Sequence, residues 1–211
     1  LGEQLGRWWW LKATGTSAFM VGFFLIYFQL LNHPIRPPFE MPLTVVDRWM
    51  PFWSWAVFPY VSLWVYVSLA PAMLGTFSEL WRYLVGALAL SGVGFLIFYF
   101  FPTAVPTSDL DWSAYPMVAF LKSADAGGNA FPSLHVAFAV FSAFVIAREG
   151  DRLGAPHWFR SGNCMWAALI AVSTLLTRQH VFYDLVAGAM LGVIFGVALV
   201  RWLDDAPRSR E

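Results

Sequence analysis

Cysteine and charge are both scarce in this sequence, and each scarcity removes a class of protein. The one cysteine, Cys164, excludes an internal disulfide, and no Cys or His stands near it at metal-ligand spacing. Only 12% of the 211 residues are charged, about half the share of a soluble domain. The formal net charge is zero, so nothing in the balance recruits nucleic acid. Ionisable side chains are missing from the middles of the apolar runs, where proton relays and ion-coupled transporters carry them. Those runs are continuous rather than alternating, which excludes a membrane-spanning barrel.

What is present is apolar. Hydrophobic residues make up 59% of the chain, with 12 Trp, 20 Phe and a mean hydropathy of +0.60. Aromatic residues collect at membrane interfaces. The expectation is an all-α polytopic membrane protein, a single membrane-embedded domain over 1–211 with six spanning helices. The runs are Thr14–Leu31, Trp53–Leu74, Trp81–Phe101, Ser133–Ala147, Asn163–Thr177 and Asp184–Leu203. The fourth and fifth are short, so their ends are expected in buried protein or water. The stretch "LGEQLGRWWWLK" within 1–13 reads as an interfacial helix, with Trp8, Trp9 and Trp10 at headgroup level. No small-residue cleavage site follows the first apolar run, so it does not read as a secretory signal. Gly188, Gly192 and Gly196 form a ladder that permits close helix packing, expected here within the core.

Basic residues assign the sides. With the N-terminus inside, Arg7, Lys12, Arg82, Arg148, Arg152, Arg160, Arg201, Arg208 and Arg210 are cytoplasmic, and 204–211 is a cytoplasmic tail. Only Arg36, Arg48, Lys122 and Arg178 fall outside, so the positive-inside rule favours this orientation. The connection 102–132 and the turn "TRQHVFYD" then share the outer face, periplasmic if the membrane is the inner membrane of a bacterium.

A histidine stands just past the first of these segments and another within the second. In "NAFPSLHVAF", Pro132 suits a first helical turn, and Ser133 and His135 fall among backbone N–H groups that lack helical partners. Such a place attracts anions. In the second segment, His180 and Asp184 are four residues apart and share one helix face. A carboxylate there can take the proton on one imidazole nitrogen and leave the other as an aimed, more basic lone pair, a competent nucleophile. The same two residues could also serve only to cap a helix start. Arg178 is a forked donor suited to phosphate oxygens, and Lys122 lies on the same outer face.

These residues resemble the type-2 phosphatidic acid phosphatase superfamily of membrane lipid phosphatases and phosphotransferases, whose motifs run KxxxxxxRP, PSGH and SRxxxxxHxxxD. "PSLH" from Pro132 to His135 matches the second with Leu134 in place of Gly, and "STLLTRQHVFYD" matches the third through His180 and Asp184. Thr174 stands where the family carries arginine, and Arg178 appears instead. The first motif lacks its basic residues; Phe101-Pro102 sits near its place. The pattern is most similar to the inositol phosphorylceramide synthase-like branch.

The resemblance implies a six-helix core and hydrolysis of a lipid phosphomonoester or pyrophosphate through a phosphohistidine. His180 would attack phosphorus, Asp184 orient it, and His135 protonate the leaving oxygen. Ser133, Arg178, Lys122 and Thr103 would hold the phosphate or headgroup. No metal or other cofactor is implied. The partner is a lipid phosphate in the bilayer. Headgroup transfer to an alcohol shares the first half-reaction and stays open, as does a non-catalytic scaffold or transporter. Thr103, Thr107, Asp109 and Asp111 read equally as headgroup contacts or turns. Arg36 reads as part of a turn, Asp47-Arg48 as a surface ion pair, and His157 as remote from the site.

Overall fold

A computed structural model describes residues 2–108, 110–125 and 128–205. Asp109, Arg208 and Arg210 lie outside the described residues. In chain order the helices are α1 (Gly2–Gly6), α2 (Trp9–Asn32), α3 (Val45–Trp49), α4 (Val57–Met73), α5 (Phe77–Phe100), α6 (Pro116–Asp125), α7 (Leu134–Arg152), α8 (His157–Leu176) and α9 (Phe182–Asp204). Two-residue strands β1 (Phe39–Glu40) and β2 (Thr103–Ala104) pair in parallel. The protein is therefore essentially all-helical. Four helical segments are long and apolar enough to cross a membrane: Trp9–Asn32, Ser54–Met73, Phe77–Phe100 and Phe182–Asp204.

Helices α7 and α8 are 19 and 20 residues long, longer than the apolar runs that announced them. The fourth run ends at Ala147, yet α7 continues through Arg148, Glu149 and Arg152. Glu149 is fully buried, and the guanidinium groups of Arg148 and Arg152 both bond to it. Arg148 also reaches Glu79 at 3.4 Å and Asp204 at 2.7 Å, so one ionic cluster ties α5, α7 and α9 together. The apolar run stops where charge begins, but paired charge is compatible with a helix interior. The helix of the fifth run begins at His157, directly after Pro156, and Phe159 packs over Gly150 at the α7–α8 corner. The opening stretch also differs from expectation. The chain turns at Trp8, whose φ of 57° is left-handed, and Trp9, Trp10 and Lys12 belong to the long α2.

Helix α7 sits at the centre, against α4, α8 and α9, and α5 packs on α9 while also meeting α7 through Tyr83 and Phe141. Its core contacts include Val136, Ala137, Phe138, Phe141 and Val145, all buried. The closest approach is to α9. An added Cβ at Gly188 would stand 2.3 Å from the Ser133 carbonyl oxygen, and one at Gly192 would stand 2.6 Å from that of Ala137. Only a residue without a side chain lets the two backbones meet there. At the same place the Ser133 N–H donates to the Asp184 carbonyl at 3.0 Å.

Gly188→Ala is therefore expected to push α7 and α9 apart and cost about 1–3 kcal/mol, the usual range for overpacking. Thermal unfolding in detergent should show a lowered Tm for Gly188→Ala. Gly92→Ala, where the added methyl meets nothing within 4 Å, should unfold like wild type.

Candidate active site

The second histidine is set by a tight turn between α8 and α9. Thr174 is fully buried, and its carbonyl accepts from both Gln179 N–H (2.9 Å) and His180 N–H (3.1 Å). Arg178 takes a left-handed φ of 58°, which reverses the chain. On the far side, Asp184 Oδ2 accepts from the Val181 N–H at 2.9 Å, and Asp47 Oδ1 accepts from the Phe182 N–H at 2.8 Å. The backbone on either side of His180 is thus fixed before its ring is considered.

The His180 ring lies with Nδ1 3.5 Å from Asp184 Oδ2. That is an ion-pair distance, long for a hydrogen bond, and such contacts commonly tighten only when substrate is present. Asp184 is fully buried and His180 is 9% exposed.

The first histidine opens α7. Phe131 and Pro132 are joined by a cis peptide bond. Ser133 is the helix cap, its hydroxyl oxygen accepting from the Val136 N–H at 3.3 Å, and it is fully buried. The His135 ring stacks on Tyr60 with centroids 4.0 Å apart and stands nearly perpendicular to the Trp64 ring. His135 and His180 line one cavity, together with Tyr60 and Asn129. Both histidines stand at helix N-termini, where the macrodipoles favour an anion.

Among the described residues, several buried polar atoms here lack hydrogen-bond partners. They are His135 Nε2, His180 Nδ1, Asp184 Oδ1 and both amide atoms of Gln179. Buried polar groups are normally satisfied, so a group of exceptions in one place marks a site prepared for something polar. Gln179 was not singled out from the sequence. The only available sign was an amide in an apolar turn beside His180. Asn129 was missed as well; its φ is 49° and its Nδ2 donates to the Tyr27 carbonyl at 3.0 Å.

The remaining candidates have other partners. Arg178 donates from Nη1 to the Asp47 carbonyl (2.9 Å) and from Nη2 to the Met50 carbonyl (2.7 Å), clamping α3 to the turn. Lys122 bonds to the Arg178 carbonyl and lies over the Trp112 ring at 5.3 Å. The Thr103 hydroxyl accepts from the Phe131 N–H at 2.8 Å, bracing the approach to Pro132. Arg36 bonds to the Phe100 carbonyl and covers the Phe101 ring. Asp111 accepts from the Ser113 hydroxyl and N–H, which hold its carboxyl below the ordinary range; it caps a short turn. His157 begins α8, at the helix end opposite the turn that carries His180.

One reading is corrected outright. Asp47 is not half of a surface ion pair with Arg48: it is 4% exposed. It closes a capping box with Thr44 and accepts from Phe182, so it joins α3 to α9. The "DR" dipeptide looked like a solvated pair because its long-range partners are 131 and 135 residues away.

A family model described as PAP2 superfamily matches residues 14–208. The chain belongs to the PAP2 superfamily. Membership supports an enzyme with phosphatase or phosphotransferase chemistry, and with the four apolar helices it supports a membrane protein. Comparison with curated proteins and with solved structures gives no match. Among the described residues of this PAP2 member, no group of three or more His, Cys, Asp or Glu is arranged to hold a metal ion.

Replacing Asp47 with alanine would strip acceptors from the partly buried N–H groups of Phe182 and Thr44, at about 1 kcal/mol each. Asp47→Ala is expected to lower Tm in detergent clearly, while Arg48→Ala leaves it within error. Equal Tm values for the two variants would refute the bracing role of Asp47.

Proposed function

We propose that this protein is an integral membrane lipid phosphatase working through a phosphohistidine intermediate. The observation that carries the reading is that His135 and His180, brought from two different helices, line one cavity with Asp184 behind His180. In this reading six helices span the membrane, α7 and α8 among them, with both termini cytoplasmic and the site on the outer face, periplasmic in a bacterium. The bonding pattern supports that orientation. Arg36, Lys122 and Arg178 bond to residues at the site end, whereas Lys12, Arg82, Arg148 and Arg152 bond at the other.

The phosphoryl group rests at the N-terminus of α7, where first-turn N–H groups have no helical partner. Arg178, held rigid by two carbonyls, and Lys122 contribute positive charge beside it. His180 turns Nδ1 to Asp184, so Nε2 attacks phosphorus, and the bond to the lipid oxygen breaks. His135 gives that oxygen a proton and then takes one from the incoming water. Water adds to phosphorus, the P–N bond breaks, and inorganic phosphate leaves with His180 regenerated. Asp184 steadies the positive imidazolium while the phosphohistidine exists. Histidine suits both steps because its ordinary pKa lies near neutrality. Thr103 in this scheme braces the loop and does not touch the phosphate.

Phe101-Pro102, the PSLH stretch and the Arg178-Gln179-His180 turn support kinship with the inositol phosphorylceramide synthase-like branch, in which an alcohol replaces water. The test is inorganic phosphate release from lipid mono- and diphosphates in micelles, with EDTA present. Wild type is expected to release phosphate. His180→Ala should lose about a thousandfold or more, as nucleophile removals do. Release that appears only when an acceptor alcohol is supplied would identify a transferase instead. Equal rates for wild type and His180→Ala would remove His180 as the nucleophile.

A further inference from the structure

Asn129 lines the same cavity as His135 and His180, and the chemistry proposed above gives it no task. We propose that Asn129 is a catalytic residue of the second half-reaction. Its amide oxygen takes the second hydrogen of the attacking water and so selects water over an alcohol. The inference rests on the reading above and deepens it, because both acceptors attack the same phosphohistidine.

Backbone and side chain both hold Asn129 in place. Its φ of 49° is left-handed, a conformation that asparagine tolerates better than most residues and that tends to persist at functional sites. The chain on either side is strung on β2. Gly128 bridges to Ala104, the Ala130 N–H donates to the Thr103 carbonyl at 3.3 Å, and the Phe131 N–H donates to the Thr103 hydroxyl at 2.8 Å. The Asn129 Nδ2 donates to the Tyr27 carbonyl of α2 at 3.0 Å.

That last bond decides which atom the amide offers. A carbonyl pairs only with the NH2 end, so Oδ1 is the end left over. Among the described residues, the Tyr27 carbonyl is the one hydrogen-bond partner of the Asn129 side chain. The residue is 5% exposed, so Oδ1 is an acceptor in a buried setting that awaits a donor. Lys12 and Thr16 also line the cavity, but they lie about 16 Å or more from Tyr27 along α2 and cannot supply it. A carbonyl oxygen repels the anionic oxygens of a phosphate. Oδ1 therefore serves a group that brings a hydrogen.

Water and alcohol differ at the attacking oxygen. As water adds to phosphorus, the P–N bond breaks and His180 Nε2 recovers the electron pair. One water proton passes to His135 Nε2, which is buried with no hydrogen-bond partner among the described residues. The second hydrogen donates to Asn129 Oδ1 and stays on the new phosphate oxygen. An alcohol carries carbon in place of that hydrogen. Once its one proton is directed to His135, it leaves Oδ1 facing a lone pair or a carbon. A site built around a hydrogen bond rejects the analogue that cannot make it, because the buried group is left unpaired.

The test is the ratio of inorganic phosphate to methyl phosphate formed from lipid monophosphates, phosphatidic acid and a polyprenyl monophosphate among them, in micelles containing methanol. A product ratio does not depend on how much of a sample is folded. Wild type should favour water per mole of acceptor. Asn129→Gly, chosen because glycine accepts the left-handed backbone, should lower the ratio by about tenfold or more. Loss of the Tyr27 bond alone would lower Tm and the overall rate but leave the ratio where it was. That outcome, or a wild type that favours methanol, overturns the proposal. The phosphohistidine is judged separately. A wild-type ratio common to different lipids supports one shared intermediate. A ratio that follows the leaving lipid removes the intermediate, while the change in Asn129→Gly still decides the role of Asn129. Transfer to neither acceptor by wild type overturns both.

Discussion

The contact between α7 and α9 governs the rest of this structure. At Gly188 and Gly192 the two backbones approach so closely that a methyl group would collide with carbonyl oxygens of α7. That approach lets the Ser133 N–H reach the Asp184 carbonyl at 3.0 Å, binding the first residue of one helix motif to the key carboxylate residue of the other. In lipid there is little hydrophobic drive to hold helices together, so close van der Waals contact and interhelical hydrogen bonds must do it. Here both act at one point, directly beneath the two histidines.

The remaining geometry follows from protecting that point. The turn that carries His180 is held from below by the Thr174 carbonyl and from the side by Asp47 and Arg178, which fasten it to α3. The approach to α7 is held by Thr103, itself part of the short β1–β2 pairing. Catalytic side chains are most exact when the elements beneath them are rigid. The opposite end of the bundle is closed by ions rather than by a site. Glu79 and Glu149 share Arg148 and Arg152, which locks α5 to α7.

Helical class and the positions of the apolar segments were legible because lipid and water sort residues coarsely, and long runs carry that signal without any partner. The pair His180 and Asp184 was legible because four residues keep two side chains within reach of each other, although His180 stands in the turn before α9 rather than on its face. Helix ends at Arg148–Arg152 were not, because charge there is neutralised by Glu79, some 70 residues away in sequence. Asp47 escaped for the same reason. Arg178 shows the reverse: its residue type suited a phosphate, but its guanidinium is engaged by two backbone carbonyls of the α3 segment. Gln179 had no sequence signal strong enough to separate it from an ordinary turn residue, and its interest comes from burial without a partner.

The sequence by itself determined the helical, membrane-compatible character of the chain, the two histidine-bearing motifs, and their assignment to a common family. These depend on composition, runs and short spacings, which survive without knowledge of the fold. Tertiary structure decided which side chains meet. It joined His135 to His180 across 45 residues of chain, turned Arg178 and Asp47 into braces, and lined an apolar groove from the histidines to Lys12. Such outcomes depend on how closely specific helices approach, and a glycine reveals its purpose only when the carbonyl opposite it is known.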